Sequence, residues 1–152
     1  MIIVHTDGSC SGNPGPGGYA AIIQSGNGAG KHTIEIVGRK ENTTNNKMEL
    51  TAVIAALAII RGMSEDKRPK VKVLTDSDYV ARGIQEWLPA WRANGWKNKA
   101  GKKIKNRLLW TKLHELTEKL DVEFEILKSH SGHPLNERAD QLARAMATGE
   151  QI

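Results

Sequence analysis

Four acidic residues stand where a carboxylate is expensive unless it does chemistry. Two similar runs, HTDGS and LTDSD, put Asp7 and Asp76 at the ends of apolar, β-rich segments. If those segments are parallel neighbours, both carboxylates emerge at one sheet edge, where open α/β sheets bind ligands. Either Asp alone would read as a turn or cap residue; the matched pair argues for more. Glu49 lies four, seven and eleven positions before Val53, Ala56 and Ile60, on the apolar side of an expected helix that offers no Lys or Arg. Its competing role is electrostatic, as a first-turn acid with capping-box spacing from Asn46. Asp140 repeats the pattern ahead of Ala143 and Ala147. Four converging carboxylates repel and raise one another's pKa unless divalent cations neutralise them. All-oxygen ligation selects Mg²⁺, with Mn²⁺ as a substitute, over Zn²⁺. Two such ions would activate a water and stabilise a leaving oxygen in an in-line phosphoryl displacement.

The elements that must bring these groups together follow from hydrophobic period. IIVHTD reads as a strand stopped by Gly8, and the Gly- and Pro-rich run from Gly12 to Gly18 as a loop. YAAIIQS and KHTIEIVGR read as strands joined across a turn at 26–30, giving an antiparallel meander. From Asn46 to Ile60 the period becomes helical, with Thr44, Asn45 and Asn46 as cap candidates and Gly62 as the stop. KVKVLTD is a fourth strand, followed by a helix from Ser77 to Trp87 and a short one from Leu88 to Ala93. A further helix is expected from about Lys103 to Leu120, then VEFEIL as a fifth strand and a last helix from Leu135 to Thr148. This order predicts an α/β fold: a five-stranded mixed sheet, β1-β2-β3 antiparallel and β1, β4 and β5 parallel, flanked by helices.

Charge is segregated along the chain. The 152 residues carry 22 Lys and Arg against 17 Asp and Glu, a formal +5. The 28 residues between Glu86 and Glu115 contain no acid and eight basic side chains, so the remainder is net acidic. All four tryptophans, Trp87, Trp91, Trp96 and Trp110, lie in that stretch, out of seven aromatic residues. A basic segment interleaved with aromatics predicts a polyanionic partner, most simply nucleic acid. The length suits one domain over 1–152. Cys10 is the only cysteine, which excludes an internal disulfide and fits a reducing compartment. No apolar run has the length of a membrane span, and the expectation is a cytoplasmic protein without membrane association.

Five ordered motifs, TDGSCSGNPGPGG, TTNNKMEL, LTDSDYV, GWK…KNRLLW and SHSGHPLNERADQLA, resemble those of type 1 ribonuclease H of the bacterial kind, from Ile2 to about Thr148. The resemblance implies the ribonuclease H-like fold and Mg²⁺-dependent endonucleolytic cleavage of the RNA strand of RNA/DNA hybrids, leaving 5′-phosphate and 3′-hydroxyl ends. It implies that Asp7, Glu49, Asp76 and Asp140 are the catalytic, metal-binding carboxylates and that His130 is a loop histidine assisting proton transfer or product departure. Residues matching Cys10, Asn13, Asn45 and Asp78 would line the RNA strand, and Thr44 and Asn106 a pocket for a DNA phosphate. The segment at about 87–107 resembles a basic protrusion in which Trp87 and Trp91 pack on deoxyribose and Lys97, Lys99, Lys102 and Lys103 contact phosphates. Asn42 stands where many members have Arg, and Asp78 where Gln is frequent. A monomer is expected, with the hybrid as its partner.

From the residues themselves, a loop position among Ser129, Ser131 and Gly132 suits a proton-shuttling His130, whereas His133, before Pro134, reads as structural. Two other functions compete: a DNA-cutting resolvase- or integrase-like enzyme of the same broad fold, and a silent duplex-binding module. Substrate choice separates the first, and catalysis the second.

Overall fold

The computed structural model describes residues 1–26, 32–64, 67–97, 104–128 and 132–149. Five strands, β1 (Ile2–Cys10), β2 (Gly15–Ser25), β3 (His32–Thr43), β4 (Lys70–Thr75) and β5 (Asp121–Ile126), form one sheet in the order β3-β2-β1-β4-β5. β1 and β2, and β2 and β3, pair antiparallel; β1 and β4, and β4 and β5, pair parallel. The expected mixed topology is therefore observed. Helices α1 (Asn45–Met63) and α5 (Pro134–Thr148) pack on the sheet, while α2 (Asp78–Arg82), α3 (Leu88–Ala93) and α4 (Arg107–Lys119) follow β4.

Strand β2 explains the layering. Its residues alternate between faces with the two-residue period of extended chain. Ala21 and Ile23 join the larger core, with Val4, Val71 and Val73 from neighbouring strands and Leu50, Val53 and Leu57 of α1. Ala20 and Ile22 turn the other way, onto Ala139, Leu142 and Ala143 of α5. Both faces are covered at the middle of the sheet, so β2 is an almost continuous apolar run rather than an alternating one. Gly18 brings α5 close: a Cβ there would collide with the Ala143 carbonyl.

Several boundaries differ from expectation, each for a local reason. β1 continues through Gly8 to Cys10 because it pairs with β2 as far as Cys10↔Gly17. Gly8 is needed for close approach, since a Cβ would strike the backbone of Met48 and Glu49. The Gly/Pro run is not all loop; β2 starts inside it at Gly15, with an irregularity between Gly15 and Gly17. α1 starts at Asn45, capped by Thr44 Oγ1, which accepts from Lys47 N–H at 3.2 Å. That placement moves Glu49 beyond the first turn and removes the capping-box role weighed for it. α1 also runs through Gly62, ending where Ser64 N–H donates to Ile60 O. The expected Ser77–Trp87 helix is five α-helical residues followed by a π-helical turn, Gly83–Trp87, in which Gly83 abuts the Trp110 indole. α4 starts at Arg107, after Asn106 in a left-handed conformation with φ 60°. The turn between β2 and β3 lies, apart from Gly26, outside the described residues. Among the described residues no helix is long and apolar enough to cross a membrane.

Candidate active site

Parallel pairing of β1 with β4 runs from Ile2↔Val71 to His5↔Leu74. Two further residues along that register bring Asp7, still paired with Ala20 of β2, alongside Asp76, the first residue after β4; the matched sequence contexts pointed to this pairing, although β1 does not end at Asp7. α1 begins after β3 and crosses the end of β1 at Gly8, which delivers Glu49 to the same point. Carboxylate oxygens of Asp7, Glu49 and Asp76 all lie within 4.8 Å of one another. At that spacing two charges repel by roughly 3 kcal/mol even at an effective dielectric of about 20.

Burial makes the crowding costly. Asp7 is 4% exposed. Its carboxyl is pushed far above the ordinary aspartate range, first by burial and then by the Glu49 charge, with Asp76 adding to it. Glu49 is also raised, again first by burial, although a hydrogen bond with Asp7 and one from the Gly8 N–H favour its ionised form. The cation-free pair therefore holds a proton between two carboxyls that would each ionise in water. Glu49 Oε2 is sealed from solvent with no hydrogen-bond partner. A buried anionic oxygen without a donor, inside an all-oxygen cluster, fits a hard divalent cation.

Asp140 stands at the margin. From α5 it raises the Asp7 carboxyl further, yet it does not belong to the tight group of three. Arg144, one helical turn on, places Nε 3.2 Å from both Asp140 oxygens. The only sequence signal for Arg144 is its i,i+4 spacing from Asp140.

The expected substrate residues surround the carboxylates unevenly. Asn13, exposed and joined to Pro14 by a cis bond, accepts through Oδ1 from the Asn45 backbone N–H at 3.1 Å, tying the loop after β1 to the start of α1. Cys10 is half-buried, with Sγ 3.3 Å from Thr43 O and 3.4 Å from Gly15 O. Thr44 caps α1, and Asp78 is exposed in the first turn of α2. Asn106 donates from Nδ2 to Tyr79 Oη at 3.1 Å, and Trp110 Nε1 donates to the same oxygen at 3.0 Å. Tyr79 thus locates Asn106, a role without any sequence signal.

The tryptophans are not all surface groups. Trp110 is fully buried in the main core. Trp87 and Trp91 are half-buried and join a chain of tilted and edge-on ring contacts, Tyr79 to Trp87 at 5.6 Å, Trp87 to Trp91 at 5.9 Å and Trp91 to Trp110 at 5.6 Å between centroids. Lys97 is exposed, and its carbonyl accepts from Asn94 Nδ2 at 3.2 Å. Lys99, Lys102, Lys103 and His130 lie outside the described residues. His133, read as structural, sits at the start of α5 with its ring 4.6 Å from that of buried His5.

A family model described as RNase H matches residues 1–148. The ribonuclease H of Aromatoleum aromaticum is 49% identical over 145 residues, 95% of this chain and 88% of that protein. That of Thiobacillus denitrificans is 46% identical over 144 residues, 94% and 90% of the two chains. The crystal structure of LC9-RNase H1, a type 1 RNase H with the type 2 active-site motif, superposes with a TM-score of 0.86 at 34% identity, covering 99% of this chain and 73% of that one. LC11-RNase H1 in complex with an RNA/DNA hybrid gives 0.70 at 25% identity, with 98% of each chain covered. Sheet order, carboxylate position and these superpositions together define an enzyme of the ribonuclease H-like fold. The chain belongs to the ribonuclease H family, whose members hydrolyse RNA in RNA/DNA hybrids.

Proposed function

We propose that this protein is a monomeric, cytoplasmic endonuclease, one domain over residues 1–152, that cuts the RNA strand of RNA/DNA hybrids with Mg²⁺ and leaves 5′-phosphate and 3′-hydroxyl ends. The observation that carries this is the gathering of Asp7, Glu49 and Asp76 within 4.8 Å beside the C-terminal end of β4. Asp7, Glu49, Asp76 and Asp140 would hold the metal. When bound, a pair of Mg²⁺ ions supplies a water acidic enough to attack at neutral pH and positive charge for the leaving oxygen; Mn²⁺ has the ligand preference to substitute.

The chain's own groups do the rest. Asn13, Asn45, Cys10 and Asp78 face the minor groove of the hybrid, where 2′-hydroxyls distinguish RNA from DNA. The Asn13 to Asn45 hydrogen bond supports this by holding two of these groups in one unit. Thr44 and Asn106 take a phosphate of the DNA strand, aided by the positive end of the α1 dipole. The exposed parts of Trp87 and Trp91 pack on deoxyribose, and Lys97, Lys99, Lys102 and Lys103 meet DNA phosphates. His130, placed on the SHSGHP motif, moves a proton to the leaving oxygen or speeds product departure.

Cleavage of end-labelled RNA/DNA, RNA/RNA and DNA/DNA duplexes of one sequence, with and without Mg²⁺, tests the proposal. The expected result is hybrid cleavage only, in the RNA strand, and only with Mg²⁺. Equal cleavage of the three duplexes, or cleavage undiminished in EDTA, would overturn it.

A further inference from the structure

Two donors converge on one oxygen beside the start of α4. Asn106 Nδ2 lies 3.1 Å and Trp110 Nε1 3.0 Å from Tyr79 Oη, and both donate to it. An indole nitrogen can only donate, and Trp110 is fully buried in the main core. It needs that acceptor and thereby fixes where the phenol oxygen stands. The Tyr79 ring is held as well, with its centroid 5.4 Å from that of Trp110 and 5.6 Å from that of Trp87. Tyr79 and Asn106 are themselves only half-buried, so a rigidly placed pair of polar groups stands within reach of a ligand from solvent.

A phenol oxygen offers two acceptor positions and one proton. Asn106 and Trp110 fill both acceptor positions, and among the described hydrogen bonds the Tyr79 hydroxyl donates to no group. What remains at this atom is a donor alone. The second Nδ2 proton of Asn106 is a donor next to it. Two donor atoms 3.1 Å apart match the oxygens of one phosphate group and are ill suited to a cation.

Asn106 also gives up an ordinary role to make this contact. It occupies the N-cap position of α4, where an Asn side chain normally accepts from first-turn N–H groups. Here it makes no capping bond, and its backbone is left-handed, with φ 60°. The direction of its amide is set by Tyr79 and not by the helix it precedes. Departures from local preference of this kind collect where a site is in use.

We infer that Tyr79 is a further binding residue for the DNA strand, its hydroxyl orienting the Asn106 amide and donating its own proton to the same phosphate. The grip on that phosphate is then braced by the core, through Trp110, and not by surface side chains alone. This inference rests on the DNA-phosphate pocket proposed above for Thr44 and Asn106. Phenylalanine in place of Tyr79 keeps the ring contacts and removes the oxygen, so it isolates both effects.

The test is steady-state cleavage of an end-labelled RNA/DNA hybrid in which single DNA-strand phosphates are replaced in turn by uncharged methylphosphonates. The native chain, Tyr79→Phe and Asn106→Ala are compared. In the native chain one replacement, at a fixed distance from each cut, should raise KM by about tenfold, the size of a lost charge-assisted contact. Tyr79→Phe should raise KM for the unmodified hybrid by about threefold to tenfold with kcat within about twofold of native, the signature of lost binding. Its methylphosphonate penalty at that one position should shrink by the same factor, and Asn106→Ala should shrink the penalty at the same position. Each penalty is a ratio within one protein, so a less stable fold cancels. A native-sized penalty retained in Tyr79→Phe but diminished in Asn106→Ala overturns the role of Tyr79 and leaves the pocket standing. No position-dependent penalty in the native chain, or a native-sized one in Asn106→Ala, overturns the pocket and the inference together.

Discussion

Asp7 carries opposite obligations in folding and in activity, and substitution separates them. Its carboxyl is held protonated by burial and by Glu49, so the folded chain binds a proton that the unfolded chain releases near the ordinary aspartate pKa of about 4. The stability this proton supports is complete below about pH 4 and declines as pH rises toward the raised value, by at most about 1.4 kcal/mol per pH unit for one group. Asp7→Asn removes that decline. In EDTA at neutral pH the variant should melt higher than the native protein, by an amount on the order of 1–3 kcal/mol, and the gap should widen as pH is raised from about 4; thermal melts across that range would reveal it. The same variant should lose turnover by at least about a thousandfold while its hybrid affinity in Ca²⁺ or EDTA changes little, as single-turnover cleavage and filter binding would measure. Full activity in Asp7→Asn would mean that the metal is held elsewhere. Thr44→Ala tests a smaller effect: loss of the α1 cap should cost about 1 kcal/mol, readable from urea unfolding.

Secondary-structure order and strand pairing were legible in the sequence because apolar period is a local property. HTDGS and LTDSD also announced that Asp7 and Asp76 lie side by side, although HTDGS falls within β1 and only LTDSD runs off the end of its strand. Element ends were less legible, and the misses share a cause. Gly8 and Gly62 read as stops, yet one is required by the crossing of α1 and the other lies on an exposed turn with nothing within 4 Å of a Cβ. Whether a glycine ends an element depends on distant packing. The basic stretch misled in another way. Four tryptophans there suggested a binding surface, but Trp110 is core, anchored on Tyr79, and Gly83 is shaped to it. Gly8→Val should force the start of α1 away from β1, costing on the order of 2–3 kcal/mol and slowing cleavage more than Thr44→Ala does. A variant with native melting and native rate would show that α1 need not touch β1 at that point.

For the molecule as a whole, charge divides between a carboxylate site and the basic stretch that follows α2. Replacing Lys97, Lys99, Lys102 and Lys103 by Ala should raise KM with little change in kcat and should flatten the dependence of log KM on log salt, because each lost phosphate contact leaves its counterion unreleased. An unchanged slope would remove those lysines from the binding surface. The site itself is built from distant parts of the chain. Asp7 lies on β1 and Asp140 on α5, and α5 packs chiefly on β2 and β1, not on the strand preceding it. Contacts so far apart in sequence close the longest loop in the protein and form late in folding. A chain still emerging during synthesis thus has β1, β2 and α1 available long before α5 can dock. Until then the proposed cleavage centre lacks Asp140, and the face of the sheet beneath α5 is bare. By the role proposed for Asp140, cleavage waits on the docking of α5 against β2 and β1.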